Sequence, residues 1–125
     1  MNAGARGFAT AGAASAFVAV GAGAFAAHAL RNHLDPSALQ TFETGARYQM
    51  YHALALFAAA WLHERAPGSY PSWAGRLFLL GTVLFSGSLY ALALSGVRSL
   101  GAITPFGGVA FLAGWACLAA GARRL

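Results

Sequence analysis

Long uncharged, apolar stretches alternate with short polar segments along this chain. The apolar stretches cover about residues 8–28, 47–64, 77–97 and 105–122. Since an α-helix rises about 1.5 Å per residue, roughly 20 residues cross the ~30 Å hydrocarbon layer of a bilayer. The pattern therefore predicts an all-α integral membrane four-helix bundle that occupies residues 1–125 as a single transmembrane domain.

Two of these stretches differ from an ordinary membrane span. The first also fits a signal peptide, with Arg6 before the apolar core and a cleavage site at residues 24–26. We interpret it instead as a retained span. The second has only 16 uncharged residues, Tyr48–His63. Arg47 at one end and Arg65 at the other can extend toward the membrane surfaces, so a short span is still expected there.

The connection between the first two spans carries a helix-start signal. Asp35 can cap a helix, and Pro36 suits the first helical position. Leu39, Phe42 and Ala46 then share one face, and most residues between them are polar. We expect a short interfacial amphipathic helix at about residues 36–46 that runs on into the second span.

Composition supports a membrane location. The chain is 58% hydrophobic and 9% charged, whereas soluble domains carry roughly 25% charged residues. The net charge is +5, but its arginines are scattered between apolar segments rather than gathered in a patch. This distribution argues against nucleic acid as a partner and indicates contact with membrane lipids.

The arginines also predict an orientation. An even number of spans places both termini on the same side of the membrane. Arg6, Arg65, Arg76, Arg123 and Arg124 then share that side, and Arg31, Arg47 and Arg98 fall on the other. Because positive residues favour the cytoplasmic side, we expect a multi-pass protein of the bacterial inner membrane with both termini in the cytoplasm.

A set of polar side chains falls within or beside the predicted spans. On the second helix, Tyr48, Gln49 and His52 share one face, and Glu43 lies at pairing distance from Arg47. Since polar groups in hydrocarbon need partners, we expect these residues to form one layer near the first and third loops. Its candidate members are His28, Glu43, Arg47, Tyr48, Gln49, His52, Ser86, Ser88, Tyr90 and Thr104.

Three interpretations of this layer remain open. The side chains can fasten the helices together by mutual hydrogen bonds. They can form a ligand or ion site, since ionisable groups inside membranes often mark one. His28 and His52, on consecutive antiparallel helices, can also face each other across a metal or haem, although no further ligand lies near them in the sequence.

No enzyme signature is present. The chain has no Gly-x-Ser-x-Gly, no His-Glu-x-x-His and no phosphate-binding loop. All three acidic residues are expected at membrane edges, which argues against a proton-coupled exporter. We predict that the protein is not an enzyme, with no catalytic residue, no metal site and no cofactor.

Small residues recur at helix-packing spacing. Ala19, Gly23 and Ala27 fall on one stripe of the first span. Ala110, Gly114, Cys117 and Gly121 form another stripe in the fourth. Such stripes let membrane helices approach closely. They fit packing within one bundle and a subunit interface equally well.

Four segments together resemble the Domain of Unknown Function 423 family of small four-helix bacterial inner-membrane proteins. They are GAFAAHAL (23–30), FETGARYQMYHALAL (42–56), LFSGSLYALAL (84–94) and GAITPFGG (101–108). Ala26 stands where the family has a glycine. The resemblance implies four spans and membrane residence, and its motif residues include Pro105 and overlap the polar layer. It implies no established activity.

We therefore predict a non-enzymatic membrane protein that self-associates or serves as an accessory subunit of a larger assembly. The alternative is a transporter or channel for a small solute or ion that uses the polar layer around His52.

Overall fold

The computed structural model describes residues 1–125 and contains helices and turns but no strand. Its long helices are α1 (Ala3–His28), α2 (Pro36–Arg65), α3 (Ser69–Gly81), α4 (Gly87–Ser95) and α5 (Thr104–Ala122). A π-helical segment, Thr82–Ser86, joins α3 to α4 without a break, and 3₁₀ turns at Leu30–Asn32 and Arg98–Ala102 form connections. The prediction of an all-α bundle is confirmed.

Three stretches are long and apolar enough to cross a membrane: Ala3–His28, Ser69–Ser95 and Arg98–Ala122. Helix α2 is not among them, because its first half carries Glu43, Arg47 and several hydroxyl and amide groups. It nevertheless runs antiparallel to α1 along the full height of the bundle. Asn2 Nδ2 donates to the His63 carbonyl at 3.0 Å at one end, and the rings of Phe25 and Phe42 lie 6.3 Å apart at the other. No finding tests the predicted span at 47–64, which stays a prediction.

Residues 36–46 are the first part of α2. Asp35 Oδ1 accepts a hydrogen bond from the Ala38 amide at 2.8 Å, so the predicted helix start is correct. The helix then continues unbroken to Arg65, as the sequence suggested. The segment does not stand apart from the bundle, because Phe42 is buried and its ring lies 4.8 Å from that of Tyr90.

Small residues set the contact between α1 and α2. The buried residues of α1 are Ala5, Gly12, Ala19 and Ala26, which recur every seven positions. A Cβ on Gly12 would lie 2.9 Å from the Ala53 carbonyl oxygen, so the two backbones touch there. A seven-residue repeat is the packing period of α-helices that wind around each other in a left-handed supercoil. It differs from the four-residue spacing of Ala19, Gly23 and Ala27.

Helix α5 packs against α3 in the same way. Gly107, Gly114 and Gly121 are buried and also recur every seven positions. A Cβ on Gly114 would lie 2.7 Å from Cε1 of Phe78, and the ring of Phe111 fills the space beside Gly81. Leu56 from α2 joins Phe78 and Phe111 in the main apolar core. Large rings on one helix therefore sit over glycines on the next.

Candidate functional site

A partly buried hydrogen-bond chain crosses the middle of the bundle. The Tyr90 hydroxyl donates to Oε1 of Gln49 at 2.6 Å, and Nε2 of Gln49 donates to Oγ of Ser15 at 3.2 Å. Ser15 lies close to the midpoint of α1 (Ala3–His28). Gln49 therefore lies at mid-height, whereas Thr104 is the first residue of α5, so the polar contacts extend from the middle of the bundle to one of its ends.

The serines of the third span add two more links. Oγ of Ser86 donates to the Gly45 carbonyl at 2.7 Å, which ties the span to α2. Oγ of Ser88 lies 2.5 Å from Oγ1 of Thr104, which ties it to the start of α5. The structure thus brings Gln49, Ser86, Ser88, Tyr90 and Thr104 into contacts that join α1, α2, α4 and α5.

The π-helical segment Thr82–Ser86 lies next to these serines. Here the Gly87 amide bonds to the Thr82 carbonyl, five residues back, and Oγ1 of Thr82 donates to the Phe78 carbonyl at 2.8 Å. Such single-turn bulges inside α-helices are frequent at functional sites. The segment was not predictable from sequence, since a π turn has no hydrophobic period of its own. It places Phe85 against Tyr48, with ring centroids 4.8 Å apart.

The His52 side chain is buried and is fixed by a ring stack and by contacts at both ring nitrogens. Its exposed fraction is 4%, and its ring stacks on Phe111 with centroids 3.5 Å apart and planes 5° apart. Nδ1 lies 2.8 Å from the Tyr48 carbonyl, and Nε2 lies 3.1 Å from Nε1 of Trp115. An indole N–H only donates and a carbonyl only accepts. His52 is therefore the neutral tautomer with the proton on Nδ1.

A groove of about 650 Å³ opens beside His52 on the lateral surface between α2 and α5. We call it the aromatic groove. The residues with aromatic rings that line the groove are Tyr48, Tyr51, His52, Phe85, Phe111 and Trp115. Val109 and Leu112 at its rim are exposed, so in a membrane the groove faces hydrocarbon. Trp115 was not predicted as a site residue, because its indole N–H meets His52 only through tertiary packing, which gives no sequence signal.

Glu43 and Arg47 lie elsewhere on α2. The predicted ion pair between them is not formed; Nη2 of Arg47 instead donates to Oγ1 of Thr44 at 3.3 Å. Both residues are exposed and line a cleft of about 300 Å³ against Ala19 and Gly23 of α1. We call it the charged cleft. The polar layer expected from the sequence is thus divided between the inner hydrogen-bond chain, the aromatic groove and the charged cleft.

His28 joins neither surface. It is exposed at the end of α1 and makes no side-chain hydrogen bond. His28 lies beyond Phe25, which contacts Phe42, whereas His52 is ten residues further along α2 from Phe42, or about 15 Å. The interpretation of a metal or haem held between these histidines is therefore wrong. No group of three or more His, Cys, Asp or Glu side chains lies together in the structure.

Comparison with known sequences agrees with this architecture. The model of the family described as "Protein of unknown function (DUF423)" matches residues 22–108. The chain belongs to this family. The UPF0382 membrane protein YwdK of Bacillus subtilis (strain 168) is 50% identical over 105 residues, which cover 83% of this chain and 85% of that protein.

Other relatives come from different bacteria. The UPF0382 inner membrane protein YgdD of Escherichia coli (strain K12) is 45% identical over 113 residues, covering 90% of this chain and 86% of that protein. A UPF0382 membrane protein of Staphylococcus epidermidis (strain ATCC 12228 / FDA PCI 1200) is 49% identical over 107 residues, covering 86% and 87%. No solved structure matches the chain. The protein is a membrane protein of the DUF423 family.

The longest DUF423 motif serves both surfaces. FETGARYQMYHALAL (42–56) lies within α2. Its Glu43 and Arg47 face the charged cleft, and its Tyr48, Tyr51 and His52 face the aromatic groove. One helical motif therefore presents charge on one side of α2 and aromatic rings on another.

Proposed function

We propose that this protein is a non-enzymatic membrane component that associates with copies of itself, as a homo-oligomer or as an accessory subunit of a larger membrane assembly. The observation that carries the proposal is the charged cleft between α1 and α2. Glu43 and Arg47 are exposed there, and neither has an ion-pair partner within the chain.

The position of these charges makes a partner favourable. The cleft lies beside Ala19 and Gly23, which belong to the apolar stretch of α1 (Ala3–His28), so its charges flank a predicted membrane span. A charge at the centre of a membrane helix costs roughly 2.5–3.5 kcal/mol for insertion, one nearer the surface costs less, and ionisable residues in either position usually pair. A second copy supplies both signs at once, because Glu43 of one copy can meet Arg47 of the other about a two-fold axis.

The small residues of the cleft favour close approach. No atom lies within 4 Å of the position that a Cβ on Gly23 would occupy. A neighbouring cleft of about 190 Å³ continues along the same side, lined by Ala27, Arg31 and Glu43. The stripe Ala19, Gly23 and Ala27 thus borders open space. Small residues with nearby polar groups are the usual contact surface between membrane helices.

The inner polar layer supports a non-enzymatic role. Gln49, Ser86, Ser88 and Tyr90 bind one another or the backbone, and no buried side-chain nitrogen or oxygen lacks a partner. A substrate or a passing ion would have to displace these bonds. The contacts therefore favour a fastening role over transport through the layer.

Native mass spectrometry in mild detergent tests self-association. We expect a defined oligomer from the wild-type chain, and monomer from Glu43→Arg and from Arg47→Glu. The double variant that exchanges both charges restores the oligomer, because each charge meets its opposite again. Oligomers that survive both single changes would overturn the proposal.

A pair of glycine variants controls for general damage. Gly23→Leu and Gly21→Leu both place a side chain in open space on α1, so the monomer fold accommodates either. Only Gly23 lines the charged cleft. We expect Gly23→Leu to yield monomer and Gly21→Leu to retain the oligomer.

We also propose that the protein resides in the bacterial inner membrane with both termini in the cytoplasm. Three arginines lie over aromatic rings at the end of the bundle that holds both termini: Arg65 over Trp61, Arg76 over Trp73 and Arg124 over Tyr70. Arginines with aromatic residues are typical of a cytoplasmic membrane interface. A green fluorescent protein fused to the C-terminus should fluoresce, and alkaline phosphatase fused there should be inactive; the reverse result would overturn this orientation.

A further inference from the structure

The aromatic groove contains two phenol groups that have no partner. The hydroxyl of Tyr90 is bonded to Gln49, and the indole N–H of Trp115 is bonded to His52. The hydroxyls of Tyr48 and Tyr51 make no hydrogen bond within the chain, and these residues are 38% and 50% exposed. Tyr48 and Tyr51 lie near the middle of α2 (Pro36–Arg65), so the backbone that carries both phenols is at mid-height in the bundle.

Donors at this depth require an acceptor that is itself in the membrane. Water is absent from the hydrocarbon layer, and an unbonded polar group there costs several kcal/mol. The ester groups of ordinary lipids lie near the surface, about 15 Å from the centre of a ~30 Å layer. Helical backbone carbonyls of another chain are already bonded within their own helix. An acceptor carried by a hydrophobic small molecule meets the requirement.

The groove is also built for a flat ring. Tyr48 and Phe85 lie 4.8 Å apart, and Phe85 and Phe111 lie 5.5 Å apart, so the walls support one another. His52 stacks on Phe111 and fixes the plane of its ring. Aromatic rings pair favourably in offset-stacked and edge-to-face arrangements with centroids about 4.5–7 Å apart. Preformed rings therefore favour a planar, conjugated ligand over a flexible saturated chain.

The size of the groove matches one such ligand. Its volume is about 650 Å³, within the range of roughly 300–1,000 Å³ typical of small-molecule sites. It extends along α5 from Pro105 to Trp115, and its exposed rim at Val109 and Leu112 is apolar. An apolar tail can lie along this rim while a ring occupies the space between Tyr48 and Trp115.

We infer that the aromatic groove binds a membrane-soluble amphiphile with a flat, carbonyl-bearing ring and an apolar tail, the chemistry of a prenylated quinone. The hydroxyls of Tyr48 and Tyr51 donate to the ring carbonyls. The aromatic walls contact the ring faces, and the tail lies along α5. The site is on a different side of α2 from the charged cleft and does not depend on self-association.

Tryptophan fluorescence tests this inference directly. The chain has three tryptophans, and only Trp115 lines the groove. In a Trp61→Phe/Trp73→Phe background, a quinone bound in the groove lies against the remaining indole and quenches it. We expect a short-chain ubiquinone, added to the protein in lipid nanodiscs, to quench Trp115 saturably.

Matched variants locate the bound quinone. Tyr48→Phe/Tyr51→Phe keeps both rings but removes the donors, and should raise the dissociation constant about tenfold. Tyr70→Phe, which removes a hydroxyl at the far end of the bundle, should leave the constant unchanged. Val109→Phe fills the groove and should abolish saturable quenching, whereas Ala119→Phe, an exposed site on α5 outside the groove, should not.

Three outcomes would overturn the inference. Quenching that rises linearly with quinone and ignores Val109→Phe would show only partition into the bilayer. Saturable quenching with an unchanged dissociation constant after loss of both hydroxyls would show that Tyr48 and Tyr51 do not recognise the quinone. A third outcome is that Val109→Phe loses the oligomer while the wild-type groove binds no quinone. The groove would then be a contact site for a second copy of the chain. Gly23→Leu should not alter quenching, so failure of self-association is distinguished from failure of this site.

Discussion

The hydroxyl of Tyr90 donates to Oε1 of Gln49 at 2.6 Å, across 41 positions of sequence. The same amide donates to Ser15 on α1. One glutamine side chain therefore connects three helices at the middle of the bundle. In hydrocarbon no water competes for these groups, so the bonds both stabilise the bundle and fix the rotation of α2.

Removing the Tyr90 hydroxyl should weaken this connection. Tyr90→Phe keeps the ring against Phe42 and loses one hydrogen bond. Side-chain hydrogen bonds between membrane helices contribute about 0.6 kcal/mol on average and up to ~1.7. We expect a loss near the upper figure because Oε1 of Gln49 is then left without a donor. Thermal unfolding in mild detergent measures it, with Tyr70→Phe as the exposed control; equal stability of the two variants would contradict the prediction.

His52 should be more critical for stability. His52→Ala removes the ring that stacks on Phe111 and leaves the Trp115 N–H unbonded. Large-to-small changes in a packed core cost about 2–5 kcal/mol. We therefore expect a marked loss of protein from the membrane fraction.

His52→Phe separates packing from hydrogen bonding at this position. It keeps a flat ring on Phe111 and loses only the polar contacts, so its stability should fall between wild type and His52→Ala. Immunoblotting of membranes and thermal unfolding measure the order of the three proteins. An alanine variant as abundant and stable as wild type would show that the stack is not structural.

Glycines in the third span should differ sharply in their tolerance of a methyl group. A Cβ on Gly81 would overlap the ring of Phe111, and on Gly87 it would meet nothing within 4 Å. Overpacking a core costs about 1–3 kcal/mol, whereas replacing a helical glycine at an open site stabilises by about 0.5–1 kcal/mol. We expect Gly81→Ala to lower the unfolding temperature and Gly87→Ala to raise it slightly. A shift of the unfolding temperature in the same direction in both variants would contradict the packing of Phe111 over Gly81.

The start of α1 should depend on Asn2. Its Oδ1 accepts from the Ala5 amide at 2.7 Å and from Nδ1 of His63 at 3.0 Å, and its Nδ2 donates to the His63 carbonyl at 3.0 Å. Loss of an N-cap alone costs about 1 kcal/mol. Asn2→Ala should cost more, because it also separates α1 from the end of α2. Thr10→Ala, which removes only an exposed bond to its own helix, serves as the control. Limited proteolysis near the N-terminus should increase for Asn2→Ala alone.

Much of the architecture was predictable from the order of residues. Uncharged stretches long enough to cross a bilayer require helices, since no other open structure satisfies its backbone there. The Asp35–Pro36 start of α2 followed from local capping chemistry, which depends only on neighbours in sequence. The motifs around Arg47, Ser86 and Thr104 were sufficient to place the chain in the DUF423 family.

The partners of the polar side chains were not predictable. Glu43 and Arg47 have the spacing of an ion pair, yet both face outward unpaired, because helix spacing permits such a contact without requiring it. His52 and Trp115 are 63 positions apart, and their helices α2 and α5 meet because both pack against α3 in the main apolar core. Helical periodicity acts over a few residues and sets which side chains share a face. Which faces meet depends on the packing of all the helices at once, so only the tertiary structure separated the aromatic groove from the charged cleft.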